Sequence, residues 1–311
     1  MLKNHKNLIF IIKSACRSIG IGAGLALLLI AGACAPRADN NPAGQKSALP
    51  RVASVAPSLT EMVCAVGGAK YLVGRTDVCN YPPEIVSRVP VIGRFGRPFV
   101  EAMVAQHPTD IIDVDLEDET VIATYKRLGI AHHRIQCRTL DDIAPAVRQV
   151  GALVRCAEQS NKMAAEIESR IAALRATALQ KDAANRAPRV FVAVWWDPLM
   201  TVGKNAFIAE VVALAGGQNI GAELSLDYAT ISPEWALSRD PDVIISLTPG
   251  DRGNTLKKLE SQVGWRDLRA VKERRVLDGF DLDLLSRPGP RILAAIDTLQ
   301  QALADIIKVA P

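Results

Sequence analysis

Few residues in this chain are spaced for covalent chemistry. Gly203-Lys204-Asn205 looks like the end of a phosphate-binding loop. That loop needs a glycine five residues before Gly203, where Pro198 stands, and Ser or Thr after the lysine. No G-x-S-x-G elbow and no H-E-x-x-H helix occurs. His132 and His133 adjoin, but they lead into a predicted strand, where neighbours face opposite ways and cannot share one metal. His107, before Pro108, reads as a helix-end residue favoured by the dipole. The cysteines Cys64, Cys79, Cys137 and Cys156 lack zinc-site spacing, which leaves free thiols or any of three disulfide connectivities. Asp281, Asp283 and His132 form the one candidate acid/base set, with no nucleophile or metal motif beside it. The pattern points away from catalysis and toward binding, with no cofactor required.

The aromatic residues carry more information. Tyr81, Phe95, Phe99, Trp195, Trp196, Tyr228 and Phe280 all fall at predicted strand ends or in loops. In α/β sheets the carboxyl ends of strands are where ligands bind. Trp195-Trp196-Asp197-Pro198 directly follows a predicted strand, so at least one indole projects toward that rim.

The elements that position these rings alternate β-branched runs with helical patterns, which predicts an α/β fold with parallel sheets flanked by helices. Strands are predicted at residues 52–55, 72–75, 111–114, 133–136, 190–194, 243–247 and 276–277. Between the fourth and fifth, residues 158–181 contain neither Gly nor Pro, and Met163, Ala164, Ile167, Ile171, Leu174 and Leu179 follow helical spacing. This predicts one long helix joining two lobes. The lobes echo each other: Pro50-Arg51-Val52 against Pro188-Arg189-Val190, and Glu101-x6-Pro108-x2-Ile111-Ile112 against Glu234-x6-Pro241-x2-Ile244-Ile245. Glu101 and Glu234 therefore take equivalent places in a pseudo-two-fold molecule.

Residues 1–33 read as a secretory signal: a basic stretch to Arg17, an apolar run from Ile19 to Ile30, and small residues before Cys34. The run is shorter than the about 20 apolar residues of a spanning helix. The formal charge of +4 comes from Lys3, Lys6, Lys13 and Arg17; without them 33 bases face 33 acids, and no excess charge is left to recruit nucleic acid. Ala31-Gly32-Ala33-Cys34 resembles a bacterial lipobox, making Cys34 the lipid-modified first residue of the mature protein. The predicted organisation is signal peptide 1–33, lipid-anchored flexible tether 34–49, N-terminal lobe 50–155, connecting helix 156–187 and C-terminal lobe 188–311.

The sequence from Arg51 to Leu303 resembles the metal-chelate substrate-binding proteins of bacterial ABC importers, and among them the cobalamin binders. The residues that carry this are Val55-Ala56-Pro57-Ser58-Leu59-Thr60-Glu61, Cys79-Asn80-Tyr81-Pro82-Pro83, Trp195-Trp196-Asp197-Pro198-Leu199, Ala215-Gly216-Gly217-Gln218-Asn219-Ile220 and Leu285-Ser286-Arg287-Pro288-Gly289-Pro290-Arg291-Ile292. The resemblance implies two Rossmann-like lobes of the class III periplasmic-binding-protein architecture, an inter-lobe cleft for a corrinoid, and an extracytoplasmic location. It assigns Tyr81, Phe95, Trp195 or Trp196, Tyr228 and Asp283 to the ligand. Phe95 and Tyr228 stand where cobalamin binders place tryptophan. It assigns Glu101 and Glu234 to salt bridges with arginines of the inner-membrane permease. Haem or a ferric siderophore is the alternative cargo, with Tyr81 as a haem ligand or Arg94 and Arg97 as partners of an anionic chelate. An extracytoplasmic enzyme on a similar fold is the remaining alternative.

Overall fold

The computed structural model describes residues 49–116, 118–183, 187–248 and 250–308. The signal segment, Cys34 and the tether up to residue 48 lie outside the described residues. Among the described residues no helix is long and apolar enough to cross a membrane.

The N-terminal lobe is built on strands β1 (Val52–Ser54), β2 (Leu72–Thr76), β3 (Val91–Arg94), β4 (Arg97–Pro98), β5 (Asp110–Asp113) and β6 (Ala131–Arg134). They lie in the order β4-β3-β2-β1-β5-β6, parallel throughout except for the β3–β4 hairpin. Helices α1 (Pro57–Ala65), α2 (Pro83–Val86), α3 (Val100–Val104), α4 (Glu119–Arg127) and α5 (Leu140–Leu153) connect them. Helix α6 (Ala157–Ala183) then leads to the C-terminal lobe. Its strands are β7 (Arg189–Trp196), β8 (Leu199–Val202), β9 (Gln218–Asn219), β10 (Tyr228–Thr230), β11 (Val243–Ser246) and β12 (Val276–Leu277). The order is β10-β8-β7-β11-β12, with β9 also pairing β7. Helices α7 (Phe207–Leu214), α8 (Pro233–Leu237), α9 (Thr255–Glu260), α10 (Arg269–Lys272), α11 (Leu282–Ser286) and α12 (Ile292–Lys308) complete it.

The echo between the lobes is structural. Val52 pairs with Asp110 in the first sheet, and the equivalent Val190 pairs with Val243 in the second. Thr109 N donates to Arg51 O at 2.9 Å, and Asp242 N to Arg189 O at 2.8 Å. His107 and Asp240, each just before the shared proline, both take positive φ, 48° and 35°. His107 also offers its carbonyl to Arg51 Nε at 2.8 Å, so its backbone is a structural contact of the β1 entrance.

Strand alternation divides the apolar residues between layers. Val52, Ile112, Val190, Val192 and Val194 face one cluster that runs from α1 and α5 through α6 to α7 and α12 without a break. Ala53 and Ile111 face a satellite cluster with Tyr125, and Phe191 and Ile244 one with Trp265. The two lobes therefore share a single core. Helix α6, about 40 Å long at 1.5 Å per residue, contributes Ala164, Ile167, Ile171 and Leu174 to it. Leu179 does not join them and is 72% exposed. The buried stripe continues through Ala178, and Leu179 lies about 100° further round the helix. It borders instead a groove of about 620 Å³ between α6 and α7. Arg175 of α6 bridges the lobes on the surface, reaching Asp141 of α5 at 2.7 Å and Glu210 of α7 at 2.5 Å. Such exposed pairs contribute little beside the shared core. Ile171→Ala is expected to lower the unfolding free energy by about 2–5 kcal/mol and Leu179→Ala to change it by about 0.5 kcal/mol or less, as measured by denaturant titration.

Candidate ligand-binding cleft

At the carboxyl end of β1 the chain turns at Ala56 into α1, whose first position is Pro57, a residue pre-set for helical φ. Thr60 donates to Ser54 Oγ at 2.9 Å, and its hydroxyl lies 3.1 Å from Cys79 Sγ, which draws the loop after β2 against α1. The next residue, Glu61, is only 3% exposed, and its carboxylate points toward the other lobe. Arg291 forks onto it, with Nε to Oε2 and Nη2 to Oε1 both at 2.8 Å, and Arg287 Nη1 donates to Oε1 at 2.9 Å.

Arg287, 8% exposed, also donates to Asn80 Oδ1 at 2.8 Å and Val78 O at 3.2 Å, and pairs with Asp283 Oδ1 at 2.8 Å. Asn80 Nδ2 closes the ring on Asp283 Oδ2 at 2.7 Å. The guanidinium of Arg291 stacks on Tyr81, 3.9 Å from the ring centroid. Burial works against the Arg291 charge, but hydrogen bonding and attraction from Glu61 outweigh it and hold the group protonated. Asp281 accepts from Asp283 N at 3.0 Å, capping α11 and placing Asp283 in its first turn. Cys137 adds a further crossing, its thiol meeting Pro288 O at 3.1 Å.

The C-terminal wall depends on a bulge. Between Ala193 and Trp195 the β7–β8 register shifts, leaving Val194 unmatched. Simple alternation would put Trp196 on the face of Val194 and Trp195 on that of Phe191. The extra residue reverses this. Trp195 packs against the shared core, alongside which Phe95 and Phe280 also pack and which contains Tyr228. Trp196 turns into the satellite cluster, edge-on to Trp265 at 5.2 Å, with Nε1 donating to Ser246 Oγ at 3.0 Å. Of the residues assigned to the ligand, Tyr81 and Asp283 meet in one polar network. Phe95 and Trp195 edge the shared core, and Trp196, also part-buried, lies apart against the C-terminal satellite cluster. Tyr228 is 6% exposed, with its phenol pKa raised by burial and then by Asp227. Phe99 is solvent-exposed.

Glu61, Asn80, Arg287 and Arg291 had not been singled out. Each stands inside a segment that carried the resemblance, but the partners are some 200 residues apart, as in the 226-residue separation of Arg287 and Glu61. No spacing rule reveals such a pair.

The acid/base set does not assemble. His132 Nε2 pairs with buried Asp113 and His133 Nε2 with Asp110 at 2.8 Å, whereas Asp283 is engaged by Asn80 and Arg287. Among the described residues no three His, Cys, Asp or Glu side chains come together as a metal site. Cys64, Cys79, Cys137 and Cys156 are free thiols, and burial first, then Cys79, Glu61 and Glu84, pushes Cys64 up to about 11. Glu101 and Glu234 sit exposed in the first turns of α3 and α8, two five-residue helices related by the internal repeat. The Glu234 carboxyl is held below the usual range by its own backbone N–H and by Ser232.

Two α/β lobes joined by a long helix and by a buried polar network define a bilobal architecture. Residues 52–280 match the family model described as periplasmic binding protein, and the chain belongs to that family. It is 30% identical over 264 residues to the vitamin B12-binding protein of Pectobacterium atrosepticum, covering 84% of this chain and 90% of that one. Among solved structures, the apo periplasmic haem-binding protein RhuT of Roseiflexus superposes with a TM-score of 0.72 at 26% identity, covering 83% of this chain and 99% of that one. The periplasmic vitamin B12-binding protein BtuF of Vibrio cholerae gives 0.67, also at 26%, covering 83% and 98%. The architecture of two α/β lobes joined by a helix is thus the one these proteins share, and membership carries with it an extracytoplasmic place.

The two indoles should separate experimentally. Trp196→Ala is expected to cost about 3–5 kcal/mol of stability and Trp195→Ala clearly less, as measured by chemical denaturation of both variants.

Proposed function

We propose that this protein captures a corrinoid between its lobes and delivers it to the permease of an ABC importer, held at the membrane by lipid on Cys34. The observation that carries this reading is the convergence of Asn80 and Tyr81 from one lobe with Asp283, Arg287 and Arg291 from the other. Both arginines are already matched by Glu61, Asp283 and Asp281, so this floor has no spare cation for an anionic cargo. A floor whose two cations are both paired with carboxylates suits a macrocycle fringed with amides, for which Asp283 keeps acceptor lone pairs. Phe95 and Trp195 supply flat apolar walls that replace water around the ring. The likeness to vitamin B12-binding proteins supports the same cargo. Binding and release are the whole cycle, and no catalytic step is assigned.

One observation favours a second reading. Arg94 and Arg97 face each other across the β3–β4 hairpin on either side of Phe95, exposed and without an ion pair among the described residues. Like charges placed opposite one another repel, and the carboxylates of haem or of a ferric siderophore would relieve that. Calorimetric titration with cyanocobalamin, haemin and a ferric siderophore separates the cases. Tight binding of cyanocobalamin is expected, and heat with haemin alone would replace the corrinoid by haem.

Glu101 and Glu234, one per lobe, are assigned to permease arginines. Charge pairs across protein interfaces couple by about 1.5–7 kcal/mol, enough to matter in a transient encounter. Glu101→Ala combined with Glu234→Ala should leave ligand affinity intact and slow uptake by cells. Loss of ligand binding in the purified double variant would contradict the assignment.

A further inference from the structure

Neither ligand-contact candidate of the cleft floor stands alone. Asp283 is oriented by Arg287, and Tyr81 is covered by Arg291. Both guanidiniums end on the same carboxylate, which lies in the opposite lobe from the arginines and is 3% exposed. We propose that Glu61 is the positioning residue of the cleft, setting the geometry of Asp283 and Tyr81 together through Arg287 and Arg291 without itself touching cargo. This rests on the reading of the inter-lobe floor as the binding site, but not on the identity of the ligand.

The physical case is one of charge count and reach. A carboxylate removed from water needs close partners, and two guanidiniums fill its two oxygens. With Glu61 made neutral, the arginines carry excess positive charge in a buried place. Arg287 can then turn to Asp283 alone, and Arg291 toward Asp281, which already stands 3.8 Å from it. Asp283 would be held more tightly in the ion pair it already makes with Arg287, and the stacking on Tyr81 released. A lysine could not substitute for Arg291, because the fork onto both oxygens needs a planar guanidinium.

Glu61→Gln keeps the shape and removes the charge. For variants with native near-ultraviolet circular dichroism, cyanocobalamin affinity is expected to fall about tenfold or more, and this loss should shrink to about twofold in an Asp283→Ala background, since coupled residues are not additive. Equal losses in both backgrounds, or an affinity within about twofold of wild type, would overturn the proposal. If the wild type takes haemin and not cyanocobalamin, the same cycle run with haemin tests positioning while the corrinoid reading fails by itself. Arg291→Gln, which leaves Arg287 on Glu61, serves if Glu61→Gln does not fold, and should weaken binding in a Tyr81-dependent way.

A ligand-free arm uses trypsin. In Glu61→Gln, cleavage after Arg291 should accelerate about tenfold relative to cleavage after exposed Arg127, because local opening frees the guanidinium. Equal acceleration at both sites would mean general destabilisation and would overturn the positioning role.

Discussion

A carboxylate buried between two arginines from the far side of a cleft cannot be satisfied by either lobe alone. Glu61 therefore ties the lobes by a second link besides the chain connection. Beneath it the apolar core passes through α6 without interruption, so the lobes share buried packing as well as the ion cluster. The exposed Arg175 and Arg148 pairs decorate this frame and are weakened by solvent. A shared core and a buried ion cluster hold the two lobes in one arrangement. For the cargo proposed above, walls ordered in folding would leave little ordering cost to be met on binding.

The internal repeat explains why the cleft is nonetheless asymmetric. The central pairs, β1 with β5 and β7 with β11, keep the same register in both lobes. Outward from them the lobes diverge: β2 and β3 continue in parallel, whereas β8 and β10 run antiparallel. The first arrangement places the loop of Asn80 and Tyr81 beside the hairpin of Arg94 to Arg97. That hairpin closes at Gly93, where an added Cβ would stand 2.6 Å from Pro98 Cα. The second arrangement brings the chain straight back after Trp196, and its bulge decides which indole faces which core. Glu101 and Glu234, by contrast, stay at equivalent places, in the first turns of α3 and α8.

Most of the frame was legible in the residues. Valine-rich runs, the Gly- and Pro-free stretch of α6 and the paired Glu-Pro-Ile-Ile spacings are local patterns, and local patterns carry strand, helix and repeat. The strands β3, β4, β8, β9 and β10 escaped because runs of two to four residues leave little periodicity to read. Leu179 was misplaced by one helical position, which is enough to move a side chain from core to solvent. Choosing between Trp195 and Trp196 needed the bulge, and a one-residue slip inverts every facing assignment. The polar floor was the least legible part. Its members are single charged residues joined only by the tertiary fold.

Everything proposed for the cleft depends on where cargo sits. Hydrogen–deuterium exchange of the mature protein with and without cyanocobalamin measures that directly. Protection is expected in both lobes at once, over residues 78–83, 93–98, 195–198 and 281–291, with residues 207–219 beside the α6–α7 groove unchanged. Protection confined to one lobe, or centred on that groove, would contradict a ligand gripped between the two halves.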